Sequence, residues 1–377
     1  MLSTRLGTRP GLAVRQRPIA MKLMELILAV SAMGALACNS DETPAGPTES
    51  NGPSLSTAAV YTRRDLGTLG GQNSEATDIN AIGIIVGASQ VASGFFHAFR
   101  WQNGVMTDLG TLGGASSSAE AINVDGVIVG WSETKSGVMR AARWRNGNLR
   151  SLGTLGGPNS QATGISPLGV ITGWSETSSG NRHAFIWKDG VMKDIGVGTL
   201  GNPFSSATGI NRGEVAVGWL FRNGENHAFR YKNGLMLDLG TFGRLSSVAN
   251  AINNAGVVVG LLGPFPDAQG EDLEFTTPFR WYQGTFTDLK ISWGIATDIN
   301  PDGVITGYSE IPGDPPRGEA WVWQNGVTTM LPEPTNAPAL SRGMAINPHA
   351  DVVGFLEPNC VQEVGCDPRH ATLWKHN

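Results

Sequence analysis

Beyond residue 38 the chain shows no long stretch with apolar residues at helical spacing; apolar positions instead fall in short runs broken by glycine-rich turns. Residues 75–110 carry four of them, EATDIN, IIVGAS, HAFRW and VMTDLG. AIG separates the first two and QNG the last two. Asparagine can hydrogen-bond its own backbone and glycine accepts positive φ, so both links predict hairpin turns. The expected unit is four short antiparallel strands.

The unit recurs. Leu66, Leu109, Leu152, Ile195, Leu239, Leu289 and Leu331 stand 43, 43, 43, 44, 50 and 42 residues apart. Ile79, Ile122, Ile165, Ile210, Ile252, Ile299 and Ile346 form a second column, followed by asparagine in every unit except at Ser166. Gly87, Gly130, Gly173, Gly218, Gly260, Gly307 and Gly354 form a third. Trp101, Trp144, Trp187, Tyr231, Trp281, Trp323 and Trp374 form a fourth, expected to wedge between neighbouring units. Four strands at this period predict an all-β fold, a seven-bladed β-propeller of four-stranded antiparallel blades over residues 58–377. The last unit stops three strands in, at HATLWKHN, while AAVYTRRDLG is a fourth strand with no blade before it. The N-terminal strand is therefore expected to complete the last blade and remove both exposed edges. DLGTLGG, at 65–71 and 108–114, reads as an outer strand plus the glycine turn leading inward to the next blade.

Residues 1–38 read as a signal peptide, with the uncharged stretch Leu26 to Ala37 too short to span a bilayer stably. MKLMELILAV makes Met21 the better start than Met1. The segment ends in ALAC, which resembles the lipobox of bacterial lipoproteins and implies lipidation of Cys38; Leu36 stands one place later than that pattern has it. An ordinary soluble signal peptide is the alternative. Residues 39–57 are a polar Pro/Gly/Ser tether, too poor in apolar groups to fold.

The combination DLGTLGG, IN, VG, HAFRW and NG resembles the HAF-type bacterial extracellular repeat, with the triplet at His97-Ala98-Phe99, His183-Ala184-Phe185 and His227-Ala228-Phe229. The likeness spans about residues 61–377, though later units read TPFRW, EAWVW and HATLW, and the second RAARW. Membership implies a secreted or surface-attached protein and carries no activity or site residues.

Composition narrows the function. Lys and Arg total 27 against 32 Asp and Glu, a net charge of −5, which leaves no basic footprint for nucleic acid. His97, His183, His227 and His370 head third strands; on separate blades they stand too far apart to share an ion needing ligands about 2 Å away, so a structural role is expected. Cys360 and Cys366 are expected to pair as a disulfide in an exported chain, with a metal or redox pair as the alternative. Trp131, Trp174, Trp219, Tyr308 and Phe355 follow the column glycine; Trp131 and Trp174 continue as WSET, adding Glu133 and Glu176, and Glu310 follows Tyr308 closely. These are the candidate ligand-binding residues: they could stack on sugar rings or pack between blades. The long loops of units five to seven carry ten carboxylates against Arg317 and Arg369. Asp267, Asp272, Glu274, Asp314 and Asp367 among them could hold calcium, the one cofactor considered, or attract a cationic partner, or form a solvated rim.

No nucleophile motif, phosphate loop or metalloprotease spacing occurs. The expectation is a non-catalytic, monomeric binding module, displayed as an outer-membrane or surface lipoprotein or else secreted, and touching the membrane through its lipid anchor alone. It would engage a glycan or protein partner through the loops of blades five to seven. The alternatives are a polysaccharide-cleaving enzyme using carboxylates on that face and a structural envelope scaffold.

Overall fold

The computed structural model describes residues 61–196, 204–263, 265–266, 272–273, 276–311, 317–333, 340–357, 360–361, 365–366 and 368–377. Ser56–Asn377 forms one compact unit. The signal segment, Cys38 and the tether lie outside the described residues.

The fold is all-β. Five separate four-stranded antiparallel sheets follow one another among the described residues. The first comprises Gly70–Ile79, Ile85–Val91, Phe96–Gln102 and Val105–Asp108; the second, Gly113–Ile122, Ile128–Thr134, Met139–Arg145 and Asn148–Gly153. The third comprises Gly156–Ile165, Ile171–Thr177, Arg182–Lys188 and Val191–Asp194. The fourth runs from Ser205 to Gly240 and the fifth from Ser247 to Asp288. Two short ladders, Phe265–Pro266 with Asp272–Leu273 and Cys360–Val361 with Gly365–Cys366, stand apart, and the other strands make one eight-stranded sheet. It divides at a parallel pair, Gly318 with Leu340, into two antiparallel groups of four. One group spans Gly294–Met330; the other is Leu340–Ile346, Val352–Glu357, His370–His376 and, as its outer strand, Tyr61–Asp65.

Local chemistry explains the hairpins. Asn103 and Gly104 take φ of 52° and 89°, and the same positive pair recurs at Asn146–Gly147, Asn233–Gly234 and Asn325–Gly326. Two positive φ angles in a two-residue turn are what the strand twist demands. The column glycine answers a different need. The first strand of each group carries a bulge, as between Ala76 and Asp78. A Cβ on Gly87 would run into the carbonyl oxygen of Glu75, and one on Gly173 into that of Gln161. The repeated GG pair belongs to the first strand and not to the turn before it. Gly71, Gly114 and Gly157 lie flat on the backbone of Gln90, Glu133 and Glu176, where a Cβ has no room.

Neighbouring sheets pack face to face. Trp144 of the second sheet is buried against Ile84, Val86 and Ala98 of the first. Two recurring hydrogen bonds stitch these faces. Each third-strand Ala N–H donates to a buried Ser Oγ in the next group: Ala98 to Ser117, Ala141 to Ser160, Ala184 to Ser205, Ala228 to Ser247 and Ala320 to Ser341, at 2.7–3.0 Å. Asn80 Nδ2 donates to the carbonyl of Asn123 at 3.2 Å, and Asn211, Asn253 and Asn300 repeat the bond to Asn253, Asn300 and Asn347.

Candidate functional site

Each group has a turn end, where first and second strands join, and a loop end, where second and third strands join and the chain passes to the next group. At the turn end, isoleucine and asparagine side chains from successive groups, Ile122, Ile165, Ile210, Asn80 and Asn123 among them, line a cavity of about 230 Å3. Each asparagine here is engaged: Asn80 Oδ1 accepts from Ile82 and Ile84 N–H while its Nδ2 reaches the next group. That end is built for cohesion.

The loop end differs. The aromatic residues after the column glycine stand in register opposite first-strand residues: Trp131 opposite Ser118, Trp174 opposite Gln161, Trp219 opposite Ser206, Tyr308 opposite Ile295 and Phe355 opposite Arg342. Three arginines lie on these rings. Arg182 Cζ is 3.9 Å from the centroid of Trp174 and 5.6 Å from that of Trp219, and its Nη2 donates to Ser206 Oγ at 3.3 Å. Arg342 lies 4.7 Å from Tyr308 and 5.5 Å from Phe355, and Arg369 lies 4.8 Å from Phe355. Arg342 donates to Glu310, and Arg369 Nη2 stands 3.3 Å from Glu75 Oε2. Both Arg182 Nε and Arg342 Nε are buried without a hydrogen-bond partner.

Electrostatics follow from burial. The Arg182 guanidinium is pulled down to about 9 by desolvation, with Glu176 opposing. Burial raises Glu75, while Arg369 and Arg342 pull it back. Burial pushes Glu120 up to about 7; bonds from Ser118, Trp131 and Gln161 oppose this, and the Glu75 charge adds to it. Tyr308 is raised to about 12, chiefly by burial. These contacts chain together into a belt of arginine, aromatic and carboxylate groups, from Glu310 through Arg342, Arg369, Glu75 and Glu120 to Arg182. Its apolar stretch is the fifth sheet, with Val248 opposite Leu261.

The structure thus gathers Trp131, Trp174, Trp219, Tyr308, Glu310 and Phe355 in one belt. Glu133 and Glu176 are engaged by their own sheets. Glu133 Oε2 accepts from Ala115 and Ser116 N–H at 3.2 and 3.1 Å, and Glu176 Oε2 from Asn159 N–H and Nδ2 at 3.0 and 3.1 Å. The Ser of WSET is spent likewise, since Ser132 and Ser175 accept from Leu112 and Leu155 N–H. Asp267, Glu274, Asp314 and Asp367 lie outside the described residues, and Asp272 is described only as backbone, paired with Pro266. Among the described residues no group of three or more His, Cys, Asp or Glu is placed to hold a metal ion. Cys360 stands directly opposite Cys366 in a short antiparallel ladder. Arg182, Arg342, Glu75 and Glu120 escape notice in the sequence because each departs from what most other units carry at the same repeat position, while Arg369 stands out there only as a charge opposing the acidic loops.

Comparison with known proteins adds fold likenesses. No family model matches the chain, and no curated protein matches it. Among solved structures, the β-propeller domain of the Trilobed protease from Pyrococcus furiosus aligns at 10% identity and a TM-score of 0.45, over 67% of this chain and 78% of that one. TolB from Acinetobacter baumannii aligns at 12% and 0.40, over 66% of this chain and 63% of that one. AofleA from Arthrobotrys oligospora aligns at 11% and 0.39, over 84% and 88%. The sheets described above, four-stranded, antiparallel and packed in chain order, are those of a β-propeller.

Proposed function

We propose that residues 61–377 form a seven-bladed propeller, closed by Tyr61–Asp65, that serves as a non-catalytic binding module of the bacterial cell envelope. The two groups of the eight-stranded sheet are then the sixth and seventh blades. Closure is supported by Tyr61–Asp65 pairing with His370–His376, and by the Ala371 N–H donating to Ser74 Oγ at 2.9 Å, the same stitch that joins the other neighbours. The ALAC segment supports a lipid anchor at Cys38, and the register of Cys360 with Cys366 suits a disulfide. In this reading the columns behind the HAF-type resemblance are structural, and recognition falls to the residues between them.

The observation that carries the binding role is the belt at the loop end. Arg182 and Arg342 are each held by two aromatic rings, and each keeps a buried Nε unpaired. Such a buried donor costs about 1–3 kcal/mol while unpaired, and a side-chain shift that brings it an oxygen acceptor on binding recovers that cost. The partner class is a glycan or the polar surface of a protein at the cell surface, with calcium as a candidate bridge in the acidic loops. A second reading, polysaccharide cleavage, rests on Glu75 and Glu120, two mutually repelling carboxyls of which Glu120 is raised to about 7.

Glycan-array binding by the mature chain, with calcium and again with chelator, tests the proposal. Binding should fall at least tenfold in Arg182→Ala and Arg342→Ala, with the polymer left intact. A polymer that shortens with time, and is spared by Glu120→Gln, selects the enzyme. Binding that survives both arginine substitutions overturns the belt.

A further inference from the structure

Away from the belt, the second and third sheets enclose a cavity of about 360 Å3 lined by Val127, Arg143, Arg145, Leu168, Trp187 and Lys188. Its size is that of a small-ligand pocket. Arg143 and Arg145 lie two apart on one strand, on the same face, and Arg150 stands directly opposite Arg143 on the next strand. Like charges in direct cross-strand register destabilise a sheet. Here the repulsion has no internal remedy. None of the three arginine side chains has a hydrogen bond or ion pair among the described residues, and the charges acting on Arg143 are Arg145 and Arg150, after burial itself, all lowering it. Its one aromatic contact is Trp187, whose ring centroid lies 5.2 Å from the guanidinium and fixes it in place. Of the acids lining the cavity, Glu214 is taken by Lys188 at 2.6 Å, and Asp189 sits in the following turn beside that lysine.

The equivalent positions elsewhere do not repeat this. The first sheet has Arg100, Gln102 and Thr107, the third Ile186, Lys188 and Lys193. The cluster is therefore a property of one groove and not of the repeat. A guanidinium triad without a counter-charge, over an apolar floor of Val127 and Leu168, suits an oxyanion carried on a compact, partly apolar body. Guanidinium forks bind carboxylate, sulfate and phosphate esters in two-pronged fashion. A nucleic-acid duplex needs a basic stripe many phosphates long, whereas these cations gather at one groove, Arg143 and Arg145 in its lining and Arg150 beside them, on a chain with net charge −5.

We propose that the groove between the second and third sheets binds an acidic sugar unit of a polyanionic glycan, its carboxylate or ester oxyanion held by Arg143, Arg145 and Arg150. The site is independent of the loop-end belt.

The test uses the mature chain and two immobilised probes, dextran sulfate for ester anions and polygalacturonate for carboxylates, with single-stranded DNA as a third surface. Wild type should bind one or both sugar polymers, and the Arg143→Gln/Arg145→Gln/Arg150→Gln variant at least tenfold more weakly. Arg212→Gln, an exposed arginine of the fourth sheet, should bind as wild type. The preferred polymer should also raise the wild-type melting temperature and leave that of the triple variant unmoved. Which polymer does so identifies the anion. Undiminished binding by the triple variant, an equal loss in Arg212→Gln, no binding to either polymer, or equal retention on DNA overturns the proposal. Because Arg182 and Arg342 are untouched, failure here is distinct from failure of the belt.

Discussion

His370 Nδ1 lies 2.8 Å from Asp65 Oδ2, across 305 positions of sequence. The same bond forms within 11 residues at His97–Asp108 and His183–Asp194, both at 2.8 Å, and at His227–Asp238. In each case the Asp Oδ1 also accepts from the N–H two residues on: Gly67 donates to Asp65 and Gly110 to Asp108. A motif elsewhere built by one hairpin is thus assembled from opposite ends of the chain. It accounts for the histidine of HAF and the aspartate of DLG together: they lock the third and fourth strands at the loop end.

Removing Tyr61–Asp65 should therefore strip the last sheet of its outer strand and expose its edge. The expected loss is several kcal/mol, on the order of 10 °C in melting temperature. His370→Ala should cost about as much as His97→Ala, ~0.5–1 kcal/mol for a partly exposed pair. A deletion that leaves the melt unchanged, or a silent His370→Ala beside a costly His97→Ala, rejects closure.

The stitch that joins the sheets fails in one place, on both sides at once. Where the other third strands present an Ala N–H, the fifth sheet has Pro278, and where the others place the serine, the next group has Gly294. Proline has no proton to give, and a Cβ on Gly294 would meet Pro278 Cδ and Ile291 O, each at 2.9 Å. Gly294→Ser alone should destabilise by overpacking, and Pro278→Ala alone should leave a buried N–H unpaired at about 1–3 kcal/mol. The double variant rebuilds the standard bond, so the two costs should cancel in part, by roughly 1 kcal/mol or more. Chemical denaturation of all four proteins measures this; simple additivity would refute the account.

The wedge aromatics are graded by burial. Trp374 is fully buried against Val322 and Leu331 and donates from Nε1 to the Pro332 carbonyl at 3.0 Å. Trp187 is partly exposed beside Arg143. Trp374→Ala should cost about 3–5 kcal/mol, and Trp187→Ala distinctly less. Equal costs would mean that Trp187 is covered in solution.

Recurrence made the strands, turns, column glycines and wedge positions legible, because each answers a backbone need that every group shares. Recurrence also has an architectural source: Glu133 and Glu176 repeat where the residues after the GG pair offer amide protons. The belt was half visible. Its aromatic rings share a column, but its charges come from four different repeat positions. Arg342 and Glu75 occupy a first-strand column otherwise filled by Ser118, Gln161, Ser206, Val248 and Ile295, which no pattern singles out. Arg369 and Glu75, one from the last group and one from the first, meet across 294 positions of sequence, a juxtaposition no spacing announces.

Asp78 and Asp298 carry the last prediction. Each bridges two groups with one carboxylate: Asp78 Oδ1 accepts from Ile79 N–H and its Oδ2 from Ile122 N–H, and Asp298 does the same with Ile299 and Ile346. Burial pushes Asp78 up to about 7, with the Asp298 charge adding, and Asp298 to about 6, while the backbone bonds oppose both shifts. A folded-state value above the unfolded one, about 3.9, means that the native protein holds protons the unfolded chain has released. Their contribution to stability is thus full below about pH 4 and is lost as pH rises through 6 and 7. Glu120, raised to about 7, acts in the same direction. Melting temperature should accordingly fall between pH 5 and pH 8. Asp78→Asn, a mimic of the protonated form, should flatten that slope whatever constant cost the loss of the second acceptor oxygen brings. A slope identical to wild type in Asp78→Asn and in Asp298→Asn would show that these carboxyls stay ionised throughout, with their four amide bonds outweighing burial.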